Sequence, residues 1–108
     1  MEVRYYKDAD GVSRVTEWID ALDDNRTAAR IVVQIERMRQ GNFGDSRPVG
    51  GGVSESRIHI GKGYRLYYSR QGNDIVLLLC GGEKKTQTQD IRKAKAYLEN
   101  YKQEMKSR

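Results

Sequence analysis

The stretch VSESRIHIGKGYRLYYSRQGNDIVLLLC, residues 53–80, decides the fold of this protein. Apolar and polar side chains alternate along residues 53–60 and again along residues 64–70, which is the period of a β-strand with one buried face. The short sequences GKG and QGND are typical of tight turns and separate these segments from each other and from DIVLLLC. That last run is apolar on both faces, so it predicts a central strand covered on at least part of each side.

Before this stretch, the pattern indicates one strand and two helices. A short strand is expected over residues 2–6, followed by a helix capped by Ser13 and a second helix that begins after Asp24 and ends near Gly41. Residues 48–52 are rich in glycine, and we interpret them as the loop that joins the helical half to the sheet half.

A long helix is expected to close the chain, with an apolar stripe from Ile91 to Met105 and an N-cap at Thr86 or Thr88. The predicted order of elements is therefore β-α-α-β-β-β-α. This order predicts an α+β fold, in which a small antiparallel, partly mixed sheet carries an N-terminal helical hairpin on one face and is followed by a C-terminal helix. Residues 1–108 are expected to form a single domain.

Composition narrows the class of protein. Residues 1–50 hold 8 Lys and Arg against 9 Asp and Glu, whereas residues 51–108 hold 12 against 6. This asymmetry indicates a polyanionic partner, either nucleic acid or an acidic protein segment. The single cysteine, Cys80, lies in an apolar run and is expected to be a core side chain. No apolar run spans a bilayer and the N-terminus lacks a secretory pattern, so we expect a cytoplasmic protein without membrane contact.

Strand alternation predicts a basic face on the sheet. Arg57 and His59 lie opposite the isoleucines on one strand, and Arg65 and Tyr67 lie on the corresponding face of its neighbour. Pairing through the GKG turn would bring these four side chains together. Neighbouring like charges repel, so the grouping predicts that an anion binds there. The simpler alternative is that both arginines form cross-strand pairs with Glu55.

The end of the central strand adds further polar groups to the same edge. Lys84 and Lys85 leave the strand there, while Gln87 and Asp90 lie at the start of the last helix, whose free N–H groups favour a phosphate. The alternative for the two lysines is a solvated pair beside a helix start.

These groups suit the cleavage of RNA by its own 2′-hydroxyl. Arg57 and Arg65 would clamp the phosphate and stabilise the charge of the transition state. Lys84 or His59 would exchange protons with the reacting oxygens. Tyr67 would stack on a base or donate a proton. For His59, the alternative is a solvated surface side chain.

Neither a metal nor a cofactor is expected. One His and one Cys do not make a zinc site by the usual spacings, and no group of carboxylates suggests a magnesium nuclease. The sequence GGEKKT (81–86) departs from the spacing of a phosphate-binding loop.

Four segments of the chain resemble one protein family. TEWIDAL (16–22), GNFGD (41–45), GxGYRxYY (61–68) and LLLCGGxKxTQxxDIxxAK (77–95) follow the order found in the HigB-like addiction module killer proteins of the RelE/ParE superfamily. The resemblance covers nearly the whole chain. It implies a RelE-like fold and the toxin of a type II toxin–antitoxin system. The cognate antitoxin, expected to be a small helix-turn-helix protein, would hold the toxin inactive.

The resemblance also implies an activity. Relatives of this type cut mRNA on the ribosome without a metal ion, and the toxin–antitoxin complex binds the operator DNA of its own genes. The basic residues of the family fall on Arg57, Arg65 and Lys84 of this sequence. Two alternatives remain open: a ParE-like toxin that inhibits gyrase without nuclease activity, and a degenerate or purely regulatory member that binds a partner and harms nothing.

Overall fold

The computed structural model describes residues 1–107 and confirms the α+β class. Its elements are β1 (Glu2–Tyr5), α1 (Arg14–Asp20), α2 (Asn25–Arg39), β2 (Asp45–Gly50), β3 (Val53–Ile58), β4 (Tyr64–Gln71), β5 (Ile75–Glu83), a 3₁₀ turn (Lys84–Thr86) and α3 (Gln87–Lys106). The predicted order thus gains one strand, β2. Within the described residues, every helix is too short or too polar to cross a membrane.

The five strands form one mixed sheet in the spatial order β1-β5-β4-β3-β2. Strands β2 to β5 pair in antiparallel fashion, each with its neighbour in the chain. Strand β1 runs parallel to β5, so that Glu2 lies opposite Ile75 and Tyr5 opposite Leu78. The sheet is therefore antiparallel except at one edge, as the sequence pattern indicated.

The prediction that DIVLLLC is a strand covered on both faces is confirmed. Val76 and Leu78 pack under the helical hairpin, against side chains such as Val15 and Ile35. On the other face, a second apolar core gathers the side chains of α3 and of the sheet beneath it, including Leu77, Leu79, Ala94 and Leu98. Helix α3 therefore covers much of the face on which the sequence placed the basic residues.

The predicted caps at Ser13 and Gly41 are confirmed, and the predicted side-chain cap at Thr86 is not. The Ser13 hydroxyl accepts a hydrogen bond from the Thr16 N–H at 3.2 Å and so caps α1. Gly41, just past the end of α2, has a φ of 85°, a left-handed conformation that glycine adopts without steric cost. Thr86 precedes α3, but its hydroxyl donates to the Asp90 carboxylate at 2.5 Å and does not cap a helix N–H.

The prediction of a loop over residues 48–52 is wrong for residues 48–50, which belong to a strand. Residues 45–50 pair with β3 as an edge strand, and the turn is limited to Gly51 and Gly52. Pro48 lies within this strand, where an edge position tolerates the missing N–H. The strand places Asp45 opposite Arg57 and Arg47 opposite Glu55.

Candidate functional site

A small cavity opens where β3, β4 and the 3₁₀ turn meet. Arg57, His59, Arg65 and Lys84 are among the residues that line it, and its volume is about 180 Å³. We call it the basic cavity. Strand register brings the two arginines together, since Arg57 lies directly opposite Arg65. The Lys84 N–H donates to the Gly63 carbonyl at 3.2 Å, which holds the 3₁₀ turn against the β3–β4 connection.

A buried carboxylate lies beneath the arginines. Glu55 is 0% exposed, and its Oε1 accepts hydrogen bonds from Arg47 Nε at 2.8 Å and from Arg57 Nε at 3.3 Å. Its Oε2 accepts from Gln87 Nε2 at 3.0 Å and lies 3.4 Å from Arg65 Nε. The protein itself therefore supplies the anion that the repulsion between the arginines requires. The alternative of cross-strand pairing with Glu55 is the arrangement observed.

The hydrogen-bond donors around Glu55 determine the pKa of its carboxyl group. Burial alone would raise the pKa of its carboxyl group, but the hydrogen bonds from Arg47, Gln87 and Arg57 and the charge of Arg65 outweigh that effect. The pKa of Glu55 is consequently lowered from its ordinary value. Glu55 is therefore an anion at neutral pH, within a group of three cations.

The three arginines differ in how far they reach solvent. The side chain of Arg47 is 54% exposed, that of Arg57 30% and that of Arg65 11%. Each turns Nε toward Glu55. None of their terminal guanidinium nitrogens donates a hydrogen bond to a group within residues 1–107. Those nitrogens remain for a ligand.

His59 has an acidic partner that the sequence analysis did not name. Its Nε2 lies 2.7 Å from Asp45 Oδ2, and this contact lowers the pKa of the Asp45 carboxyl group. Because an ionised carboxylate only accepts hydrogen bonds, Nε2 of His59 is the donor in this contact. His59 follows the last residue of β3, and its side chain is exposed beside the cavity.

The two neighbouring lysines are in different surroundings. Lys85 lies 3.5 Å from Glu83, which also pairs with Lys62 at 2.6 Å, and the pKa of Glu83 is lowered by these ammonium groups. Lys84 is exposed and makes no ion pair with a carboxylate of the described chain. Lys84 therefore lines the basic cavity, whereas Lys85 pairs with Glu83 and does not line it.

Three other candidates do not reach the cavity. Tyr67 is fully buried under α3, so its predicted stacking on a base is wrong. Burial, with the charge of Glu55, raises the pKa of Tyr67. Asp90 is also buried; it lies against Gly82 and accepts from Thr86, which fixes the start of α3. Gln87 acts through its bond to Glu55.

Comparison with known proteins identifies the family. The model of the family "Phage derived protein Gp49-like (DUF891)" matches residues 17–103. The chain belongs to this family. A similar protein is an uncharacterized protein of Haemophilus influenzae, 46% identical over 78 residues, which is 72% of this chain and 79% of the relative. The Gp49-like family is phage-derived and toxin-like, so the coarser part of the resemblance in the sequence is confirmed.

The site of this Gp49-like protein suits a phosphate ligand. Three guanidinium groups and one carboxylate leave two positive charges in the group around Glu55, and Lys84 adds another. Such groups bind the oxygens of a phosphodiester through charge-assisted hydrogen bonds. His59 with Asp45 can exchange a proton beside them.

Possible metal ligands and the single cysteine of the Gp49-like protein are considered separately from the residues around Glu55. Among residues 1–107, no three His, Cys, Asp or Glu side chains come together in a way that could hold a metal ion. The thiol of Cys80 is buried in the core under α3, and this burial raises its pKa to about 12. The prediction that Cys80 is a core side chain is confirmed.

Proposed function

We propose that this Gp49-like protein is the toxin of a type II toxin–antitoxin pair and that it cleaves mRNA on the ribosome without a metal ion. One observation carries the proposal: Arg57, Arg65, Lys84 and His59 surround one small cavity. Membership in the Gp49-like family supports the role of a toxin. The resemblance to HigB-like proteins supports mRNA as the substrate.

The proposed reaction uses the 2′-hydroxyl of the RNA as the nucleophile. Arg57 and Arg65 bind the non-bridging oxygens of the phosphate and stabilise the additional negative charge as the 2′-oxygen bonds to phosphorus. His59 accepts the proton of the 2′-hydroxyl at Nδ1, and Asp45 stabilises the imidazolium that forms. Lys84 donates a proton to the departing 5′-oxygen. The products are a 2′,3′-cyclic phosphate and a free 5′-hydroxyl.

The proposed partners follow from the same role. A cognate antitoxin, of the helix-turn-helix type, would cover the toxin in the cytoplasm and carry it to operator DNA. The excess of Lys and Arg in residues 51–108 favours an acidic segment of the antitoxin as the part that contacts this protein. Ribosomes and mRNA would be the targets once the antitoxin is lost.

Arg65→Ala tests the proposal. Loss of one group that stabilises the transition state typically slows a reaction by about 100- to 1000-fold. Induction of the wild type alone should therefore arrest growth and create new 5′ ends within coding sequences, and Arg65→Ala should do neither. Arg70→Ala is the matched control, because Arg70 lies on the same strand but stacks on Phe43, away from the cavity. It should remain as toxic as the wild type.

Other outcomes would separate the competing functions. An Arg65→Ala protein that folds, by circular dichroism, and still cuts transcripts would refute the assigned site. Growth arrest with DNA damage and intact transcripts would identify a gyrase inhibitor. Wild-type induction without any effect on growth would indicate a regulatory protein.

A further inference from the structure

We propose that Glu55 is a positioning residue that holds Arg47, Arg57 and Arg65 as a preformed phosphate clamp, and that Arg47 is the third arm of this clamp. The inference rests on the proposed function for its substrate, RNA. The geometry of the clamp does not depend on the proposed function and can be tested separately.

The way in which the arginines approach Glu55 supports the proposal. All three direct Nε at the carboxylate, with distances of 2.8 Å for Arg47, 3.3 Å for Arg57 and 3.4 Å for Arg65. A guanidinium group has five N–H donors, so the use of Nε leaves the two terminal nitrogens to bind a phosphate end-on. Arg47 and Arg57 donate Nε–H to Glu55, whereas Arg65 Nε lies within 3.4 Å of the carboxylate without a hydrogen bond. Glu55 therefore orients two forks through hydrogen bonds and attracts the third through its charge.

The burial of Glu55 means that it acts only through its neighbours. Its side chain is 0% exposed, and donors from β2, β3 and α3 surround its oxygens: Arg47, Arg57 and Gln87. It does not line the basic cavity. An RNA hydroxyl has no access to this carboxylate, so Glu55 is not the proton acceptor.

The charge of the clamp matches the proposed reaction. Glu55 neutralises one of three guanidinium charges, which leaves two positive charges. A phosphodiester carries one negative charge, and its oxygens carry about two when the 2′-oxygen has bonded to phosphorus. Interactions that strengthen between these two states accelerate the reaction, whereas those that are equal in both only bind substrate. Without Glu55, the arginines would repel each other and still attract RNA, but without a fixed geometry.

The register of the sheet shows how the clamp is built. Arg47 of β2 lies directly opposite Glu55 of β3, and the β3–β4 register places Tyr67 on the other side of Glu55. Gln87, the first residue of α3, donates to both carboxylate oxygens of Glu55. Three separate elements therefore fix one side chain, which is the support that a precise binding geometry requires.

The decisive experiment separates binding from turnover. Glu55→Gln removes the charge, and Glu55→Asp keeps it but retracts the carboxylate by about 1.5 Å. Cleavage of mRNA on ribosomes is measured per folded molecule, and affinity is measured with a 2′-O-methyl RNA that cannot be cut. Both variants should lower kcat by at least about tenfold while the affinity stays within about threefold of the wild type. Glu36→Gln, which breaks the exposed pair with Arg39 on α2, should change neither.

A second measurement does not depend on cleavage. Because it is made first on the wild type, it still tests the proposal if a variant fails to fold. In the wild type, the Nε–H groups of Arg47 and Arg57, which donate to Glu55, should give shifted, slowly exchanging NMR signals, and Glu55→Asp should alter them. Absence of such signals in the wild type would overturn the proposal, as would a folded Glu55→Gln protein with kcat within about threefold of the wild type. If the wild type cuts no RNA but shows these signals, the proposed nuclease fails and the clamp stands.

Discussion

The contact between Gly81 and Trp18 offers a direct test of the packing between α1 and β5. A Cβ added to Gly81 would lie 2.2 Å from Cε3 and Cζ3 of Trp18. Carbon atoms in contact are about 3.5–4.0 Å apart, so the indole ring would have to move by about 1.5 Å. The ring packs against the core under the helical hairpin, so this movement would disturb its contacts with that core. Gly81→Ala should therefore destabilise the protein by about 3 kcal/mol, the upper end of ordinary overpacking.

Urea denaturation measures this loss with a probe at the site itself. Trp18 is the single tryptophan of the chain, so its fluorescence reports the displaced ring. With a denaturant slope of about 1.5 kcal/mol/M, the midpoint should fall by about 2 M. In a Trp18→Leu background, followed by circular dichroism, the added methyl group has space and the penalty should fall below about 1 kcal/mol. Equal penalties in both backgrounds would refute the proposed clash.

Two further predictions concern charge. The pKa of Glu55 is lowered in the folded protein, so the stability that it contributes is complete above the pKa of unfolded glutamate and is lost as the pH falls through the folded value. Urea denaturation from pH 7 down to about pH 3 should show the wild type losing its advantage over Glu55→Gln, and a constant difference would contradict the linkage. Lys84→Ala should reduce the slope of log K against log salt for single-stranded RNA by about 0.7. Lys85→Ala should reduce it less, because Glu83 already pairs with Lys85, and equal reductions would count against the assignment.

The sheet was predictable where local pattern and burial agree. Alternation along residues 53–60 and 64–70 matches the side chains that the two cores bury, and the apolar run of β5 matches a strand with both faces covered. Strand β2 was not predictable in this way. Its sequence, DSRPVG, lacks apolar alternation and contains a proline, so it is a strand only because β3 offers a pairing partner.

The site was predictable to the same extent. Periodicity correctly placed Arg57 and Arg65 side by side, with Glu55 on the same face. It could not show that α3 crosses that face and buries both Glu55 and Tyr67, because the packing of distant elements decides this. Arg47 was missed along with β2. A glutamate on the same strand face as Arg57, with Arg65 on the neighbouring strand, is the signal that would have indicated the ion group.

The parallel pairing of β1 with β5 has a consequence for the order of synthesis. Strand β1 leaves the ribosome well before β5, the strand with which it pairs, since Glu2 lies opposite Ile75. Neither core can form before β5 is synthesised, because Val76 and Leu78 belong to one core and Leu77 and Leu79 to the other. Such long-range closure is slow and comes late in folding. Translation has therefore passed β5 before either core of this protein can form.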